Sequence, residues 1–237
     1  EFVGALAGRD RSHGRRGARV ALVHDRELRR KTARSRHADD EHAEIREEVG
    51  KLCARFPGEY WRKLDRDRAY PSDFVAALTK AGFLAALIPE EYGGSGLSMR
   101  AAAAIMEEIH AAGCNGAACH AQMYTMGTLL RHGSPAQKQK YLPAIARGEL
   151  RLQAFGVTEP TSGTDTLSLR TTAVRDGDGW VLNGEKLWIT NGGIADFFTV
   201  FAKTSQEGRG PITAFVVTRD MAGVSTGPHE DKIGVRA

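Results

Sequence analysis

Small hydroxyl residues and glycine crowd into one stretch of the sequence, FGVTEPTSGTD, which spans residues 155–165. Pro160 ends any strand there because it removes a backbone donor, and Gly163 lets the backbone approach a ligand without an intervening Cβ. Backbone N–H groups of the resulting turn could cradle an anion such as a phosphate. Three hydroxyl side chains could join them, those of Thr158, Ser162 and Thr164. Solvated loops share this composition, so the interpretation needs a second feature.

A second stretch, KLWITNGG at residues 186–193, follows strand-like segments and the dipeptide Asn183-Gly184. Asn-Gly is the strongest short signal for a β-hairpin turn, so KLWITNGG is predicted to lie in a hairpin strand. Alternate side chains of a strand share a face, which would place Trp188 and Thr190 side by side. A tryptophan on a sheet is more often part of the core. Together, however, the two stretches offer the phosphate donors, aromatic plane and hydroxyl that a flavin nucleotide requires.

Charge is distributed unevenly along the 237 residues. Residues 1–36 contain 11 Lys and Arg against 4 Asp and Glu, which leaves 22 of the 33 bases and 25 of the 29 acids for the rest. The remainder is therefore slightly acidic, which argues against a nucleic-acid groove. The basic end is predicted to be a disordered extension, with a transit peptide as the alternative. Since no apolar run approaches the roughly 20 residues that span a bilayer, a soluble protein is expected.

Three cysteines, Cys53, Cys114 and Cys119, cannot all pair within one chain, and none has Cys-x-x-Cys spacing. A reducing compartment is therefore expected. Cys114 and Cys119 lie near His110 and His120, which raises a metal-site hypothesis. The alanine-rich surroundings favour instead small buried side chains in a packed helix, so no metal is expected.

Helical periodicity dominates residues 37–150, and the apolar period changes to two over residues 151–237. Five helices are predicted. The first is indicated by the helical spacing of Ile45, Val49, Leu52 and Phe56. The others are predicted from Pro71 to Gly82, from a Ser98 cap to Gly113, over residues 116–131, and from a capping box at Ser134. This order, with all helices before all strands, predicts an α+β fold: an all-helical N-terminal domain followed by a small antiparallel β-barrel-like domain. Neither a dinucleotide-binding glycine motif nor a P-loop is present.

The two chemical stretches resemble, in order and spacing, the flavin-binding middle domain of the acyl-CoA dehydrogenase family. IPEEYGGSGLS and LLRHGSPAQKQKYLPAIARGEL are similar to that family's N-terminal helical domain, so the resemblance covers about residues 38–237. It implies FAD as cofactor and α,β-dehydrogenation of an acyl-CoA in fatty acid or amino acid catabolism. It also implies a homo-oligomer, dimer or tetramer, and an electron-transferring flavoprotein as acceptor. A bacterial cytoplasmic location is expected, with the mitochondrial matrix as the alternative.

The resemblance also implies site residues. The backbone around Phe155 and Val157 and the hydroxyl of Thr158 would contact the isoalloxazine ring. Gly163 and Thr164 would meet the FAD pyrophosphate, and Thr164 would also lie near the acyl-CoA. Three further residues would contact the flavin, Trp188, Ile189 and Thr190, with Thr190 donating towards N5.

One departure from the family pattern and one open alternative bear on the site. Phe155 stands where several members have tyrosine, which removes one phenol donor. On the fourth helix, Met123 and Gly127 would either line the acyl pocket or simply pack.

A catalytic base must reach the α-carbon of the thioester. The resemblance places that base, a glutamate, in a C-terminal helical bundle beyond Ala237, so no catalytic residue is assigned here and this chain alone is expected to be inactive. Glu159 is the tempting substitute, but the resemblance makes it structural. Two alternatives stay open: an oxidase or flavin-dependent monooxygenase of the same fold, and a non-catalytic module that binds acyl-CoA or a partner protein.

Overall fold

The computed structural model describes residues 41–205 and 210–233. The predicted basic extension, residues 1–36, lies outside the described residues. The described residues from His42 onward form one compact unit. Its helices are α1 (Ala43–Cys53), α2 (Gly58–Asp67), α3 (Ser72–Lys80), α4 (Met99–Ala111), α5 (Ala117–His132) and α6 (Pro135–Ala146). Its strands are β1 (Leu152–Gly156), β2 (Thr172–Asp176), β3 (Gly179–Asn183), β4 (Phe197–Lys203) and β5 (Ile212–Thr218).

Local signals account for where most of the helices begin and end. Ser98 caps α4 by accepting a hydrogen bond from the Ala101 amide at 3.2 Å, and Ser134 heads a capping box at the start of α6. Gly82 and Gly113 follow the ends of α3 and α4 with φ of 80° and 81°, where glycine is favoured. The predictions for α3 to α6 are therefore confirmed.

The first predicted helix is too long, and one helix was not predicted. α1 ends at Cys53, because Pro57 disfavours helical geometry at Phe56 and the chain turns before it. α2 then begins directly after Pro57 and buries none of its side chains fully, although Tyr60 and Trp61 pack partly buried against the main helical core. Its Trp61 indole donates to the Phe56 carbonyl at 3.1 Å, which fixes α2 against the preceding turn.

The strands form a mixed sheet that is not closed into a barrel among the described residues. β4 pairs antiparallel with β5 but parallel with β1 and β2, and β2 pairs antiparallel with β3. The α+β class is confirmed, whereas the antiparallel barrel-like arrangement is wrong. Parallel pairing of β1 and β4 needs a long connection, and residues 157–196, which include the β2–β3 hairpin, supply it.

The helices and the sheet meet where β1 packs against α5. The main helical core contains fully buried side chains from α1, α3, α4 and α5, including Val49, Phe74, Ile105 and Cys119. A second cluster lies around Met126 and Leu142, and a smaller one beneath the sheet contains Ala154, Ala195 and Phe198. No helix in the described part of the chain combines the length and apolar character needed to cross a membrane.

Candidate functional site

The turn after β1 is closed by reciprocal backbone hydrogen bonds between Glu159 and Ser162. The Glu159 amide donates to the Ser162 carbonyl at 2.9 Å, and the Ser162 amide donates back at 3.2 Å. Pro160 occupies the tip of the turn, where no hydrogen bond from a backbone N–H is required. The turn leaves Gly163 and Thr164 exposed at its far side.

The Glu159 side chain points inward and is fully engaged. Its Oε2 accepts from the Arg170 amide at 2.6 Å, and its Oε1 accepts from the Thr171 amide, the Thr171 hydroxyl and the Lys186 ammonium, the last at 2.8 Å. Burial raises the pKa of this carboxyl, but hydrogen bonds from Lys186, Thr171 and Arg170 outweigh it and bring the pKa to about 2. Burial lowers the pKa of the Lys186 ammonium, and Glu159 opposes that shift. Glu159 is therefore a buried structural anion.

The same lysine joins the two stretches that the sequence singled out. Besides Glu159, the Lys186 ammonium donates to the Val157 carbonyl at 3.2 Å. The next residue, Leu187, donates its amide to the Thr158 carbonyl at 2.8 Å. The two stretches are thus brought side by side by a lysine whose role the sequence analysis did not identify.

The hairpin strand predicted for KLWITNGG is absent from the described structure. No strand includes residues 184–196, and Trp188 and Asn191 have φ of 59° and 60°, a region that strands do not use. Gly184 explains the departure, because a Cβ there would lie 2.4 Å from Thr171 Oγ1: the chain leaves β3 to cross close over Thr171 rather than turn back. The shared strand face predicted for Trp188 and Thr190 is therefore wrong.

The segment instead forms an irregular loop that is anchored from below. Trp188 is 62% exposed and Thr190 is exposed, while Ile189 packs against the small core cluster beneath the sheet. Arg219 fixes the far end of the loop, because its guanidinium donates to the carbonyls of Ala195 at 2.8 Å and Gly192 at 2.9 Å. The loop thus presents an indole on a supported backbone.

Phe155 lies in a row of aromatic side chains between α5 and the sheet. Its ring centroid is 5.3 Å from that of Tyr124 on α5 and 4.9 Å from that of Phe201 on β4. Tyr124 in turn contacts the His120 ring at 4.8 Å. The row shows that Phe155 connects the two layers of the fold.

Several donors at the turn have no protein acceptor. Within residues 41–205 and 210–233, the exposed backbone N–H groups of Gly163 and Thr164 have none; the Ser162 hydroxyl also has no hydrogen-bond partner but is buried. A Cβ at Gly163 would meet only the Thr158 methyl, at 4.0 Å, so the space over this backbone is open. Backbone N–H groups and hydroxyls around an open glycine suit a phosphate oxygen. This donor set fits the pyrophosphate of a dinucleotide.

The other sequence candidates lie apart from this turn. Met123 is buried in the main helical core, whereas a Cβ at Gly127 would meet no atom within 4 Å. All three cysteines are buried and free. Among the described residues, no group of three or more His, Cys, Asp and Glu side chains could hold a metal ion.

Comparison with known proteins decides the family. The model of the acyl-CoA dehydrogenase N-terminal domain matches residues 39–149, and the model of the middle domain matches residues 154–237. This chain belongs to the acyl-CoA dehydrogenase family. The probable acyl-CoA dehydrogenase fadE25 of Mycobacterium leprae is 38% identical over 200 residues, which cover 83% of this chain and 51% of that protein. The chain thus spans about half the length of the curated acyl-CoA dehydrogenases it matches.

Solved acyl-CoA dehydrogenase structures share the fold. That of Geobacillus kaustophilus superposes with a TM-score of 0.76 at 31% identity, covering 85% of this chain and 54% of the other. That of Bacillus anthracis, complexed with FAD, gives a TM-score of 0.71 at 35% identity, covering 85% and 34%. The turn at Glu159 and the loop at Trp188 therefore belong to the middle domain of an acyl-CoA dehydrogenase fold.

Proposed function

We propose that this chain forms the FAD-binding part of an enzyme that dehydrogenates an acyl-CoA thioester. The observation that carries the proposal is the junction of the two stretches. Lys186 and Leu187 hold the Trp188 loop against the Thr158 turn, next to donors that have no acceptor among the described residues. A flavin dinucleotide needs an aromatic neighbour for its ring and donors for its pyrophosphate, and the junction offers both.

The roles that we propose for individual residues come from the family resemblance, and their positions support them. The Gly163 and Thr164 amides would hold the pyrophosphate, and Thr164, which is exposed, would also reach the acyl-CoA. Thr158 would donate its hydroxyl to the ring end of the flavin, near the Val157 backbone. When bound, FAD would supply the two-electron acceptor that dehydrogenation requires.

The loop and the aromatic row would shape the ring end of the site. Trp188 would lie against the flavin, since its exposed indole is free to stack on a planar ligand. Ile189 would support it from the core, and Thr190 would donate from the exposed side of the loop. Phe155 would contribute its backbone, because its ring is already engaged with Tyr124 and Phe201.

Glu159 does not serve as the base that removes the α-proton. Both of its oxygens already accept hydrogen bonds, and a carboxylate whose pKa is about 2 is a poor proton acceptor near neutral pH. We therefore place the base outside the described residues. Acyl-CoA as substrate, a homo-oligomeric assembly and an electron-transferring flavoprotein as acceptor complete the proposal on the strength of the family.

A comparison of two flavins tests the site. The chain is titrated with FAD and with riboflavin, which lacks the pyrophosphate, while flavin fluorescence is followed. Gly163→Val should weaken FAD binding by about tenfold, because the added side chain keeps the pyrophosphate from roughly one good hydrogen bond to the backbone N–H groups. Riboflavin binding should be unchanged. Gly227→Val is the matched control, because a Cβ there meets no atom within 4 Å, and one at Gly163 meets only the Thr158 methyl at 4.0 Å.

Two outcomes would count against the proposal. Equal weakening of FAD and riboflavin binding by Gly163→Val would show that Gly163 does not hold the pyrophosphate. Failure of the wild-type chain to bind FAD more tightly than riboflavin would remove the phosphate site altogether. Circular dichroism of each variant separates these results from unfolding.

A further inference from the structure

Two thiols from distant parts of the sequence meet in the helical core. Cys53 is the last residue of α1, and Cys114 follows α4, 61 positions later. The Cys114 thiol donates to the Cys53 carbonyl at 3.8 Å and also lies 4.0 Å from the Phe56 carbonyl oxygen. A disulfide requires sulfur atoms about 2 Å apart, so the Cys114 sulfur, which already lies against the Cys53 backbone, must approach the Cys53 sulfur.

The position of both residues permits that approach. Cys53 and Cys114 are 2% and 5% exposed. Cys114 lies directly beneath a surface turn, because Ala112 and Gly113 before it are exposed and Gly113 has a φ of 81°. Cys53 ends its helix and is followed by a turn, so neither residue is held within a helix on both sides.

The two thiols differ chemically. Contact with Cys53 lowers the pKa of Cys114 against the opposing effect of burial. Contact with Cys114 and burial raise the pKa of Cys53. Because the thiolate is the nucleophile and Cys114 lies beside an exposed turn, Cys114 is the thiol that reacts first.

We propose that Cys53 and Cys114 form a reversible redox site that a peroxide closes into an intramolecular disulfide. The Cys114 thiolate attacks a peroxide oxygen, the O–O bond breaks, and hydroxide leaves to give a sulfenic acid. The Cys53 sulfur then attacks the Cys114 sulfur, the S–S bond forms, the S–O bond breaks, and water leaves. Two thiols and one hydrogen peroxide thus yield one disulfide and two waters.

Closing this bond would tie α1 to the segment that leads into α5. Cys114 lies three positions before the first residue of α5, the helix that packs against β1 and carries Tyr124. The modification therefore acts on the helix that contacts Phe155 beside the proposed flavin site. It is a second site, chemically independent of flavin binding.

Cys119 provides the matched control. It lies within α5, is fully buried, and burial raises its pKa to about 12, so it should not react. In the Cys119→Ala variant, trypsin places the remaining cysteines in separate peptides, residues 52–55 and residues 101–131. Each peptide then contains one cysteine, and any link between them can have only one assignment.

The experiment treats the native chain with hydrogen peroxide, blocks free thiols with iodoacetamide, and maps tryptic peptides without reduction. In wild type, the free thiols counted after denaturation should fall from three to one. In Cys119→Ala, residues 52–55 should become linked to residues 101–131, and dithiothreitol should separate them. In Cys53→Ala/Cys119→Ala, dimedone should label residues 101–131, because the sulfenic acid has lost the thiol that resolves it.

Three results would overturn the proposal. The first is a wild-type chain that keeps all three thiols after peroxide treatment in the native state. The second is a disulfide that joins different molecules or uses Cys119. The third is a dimedone adduct of equal yield whether or not Cys53 is present. The wild-type thiol count does not depend on any substitution, so a variant that fails to fold leaves the test intact.

Discussion

Lys186 holds the Glu159 carboxylate at 2.8 Å in a place where the two side chains are only 10% and 3% exposed. The pair joins the turn after β1 to the loop after β3, and both segments lack regular secondary structure. A buried ion pair is stabilising only when its remaining hydrogen-bond donors and acceptors are also paired. Here Arg170 and Thr171 donate to the Glu159 carboxylate, and the Val157 carbonyl accepts from Lys186. The proposed flavin site therefore depends on one ion pair for its shape.

Removal of the Lys186 cation should destabilise the folded chain. Lys186→Met keeps most of the apolar stem but leaves a buried carboxylate without its counter-ion, so the free energy of unfolding should fall by about 3–5 kcal/mol. Urea denaturation at neutral pH measures the change. Lys63→Met is the control, since Lys63 pairs with Asp67 on the exposed face of α2 and should have no measurable effect.

A double variant checks that the loss arises from the unpaired charge. Glu159→Gln combined with Lys186→Met should lose less stability than the sum of the single losses, because no charge is then buried alone. Losses from Lys186→Met no larger than those from Lys63→Met would show that solvent reaches the carboxylate.

Acid should destabilise the chain through Glu159. The pKa of this carboxyl is about 2 in the folded chain against an ordinary value of 4.5. A depressed folded pKa contributes stability that is fully present above pH 4.5 and is lost as the pH falls towards 2. The contribution is roughly 3 kcal/mol at neutral pH.

Unfolding free energies measured at several pH values between 5 and the acid limit of folding, for wild type and Glu159→Gln, isolate this effect. Wild type should lose stability with acid more steeply than the variant, because only wild type has the Glu159 carboxyl to protonate. Parallel curves across this range would mean that Glu159 is not the source of the acid sensitivity.

The sequence predicted features that depend on local chemistry. Ser98 and Ser134 cap helices because their hydroxyls reach amides three residues on, a relationship encoded entirely within one turn. The turn at Pro160 was also recognised, because proline and glycine restrict or free the backbone at their own positions. The α+β order could be read from the change in apolar period at residue 151.

Features that depend on tertiary contacts could not be read in this way. Asn183-Gly184 has the local signal of a hairpin, but Gly184 is needed for the close approach to Thr171, so the chain continues into a loop. Strand direction was also missed, because alternation of side chains is the same in parallel and antiparallel sheets. The partner of Glu159 lies 27 positions away, at Lys186, and no spacing rule connects them.

Gly184 should tolerate no side chain. A Cβ there would lie 2.4 Å from Thr171 Oγ1 and 2.8 Å from Thr171 Cα, so neither a side-chain rotation nor a small shift relieves the clash. Thr171 also donates to Glu159, so its displacement would disturb the ion pair. Gly184→Ala should lower the unfolding free energy by about 1–3 kcal/mol.

Thermal denaturation of Gly184→Ala beside Gly227→Ala tests this expectation. Gly227 has no neighbour within 4 Å of the added carbon, so its substitution should leave the melting temperature nearly unchanged. If the two variants melt together, the close approach to Thr171 does not exist in solution.

Gly127 should behave in the opposite way. It lies in the middle of α5, and a Cβ there would meet no atom within 4 Å. Alanine in place of glycine within a helix favours folding by about 1 kcal/mol, so Gly127→Ala should raise the melting temperature. Gly133→Ala, just past the end of α5, is the contrasting control, because its Cβ would lie 2.5 Å from the Leu129 carbonyl oxygen and should destabilise the chain. A destabilised Gly127→Ala would show instead that the space beside α5 is filled in solution. Of the two alternatives for Gly127, lining an acyl pocket or simply packing, that result would favour packing.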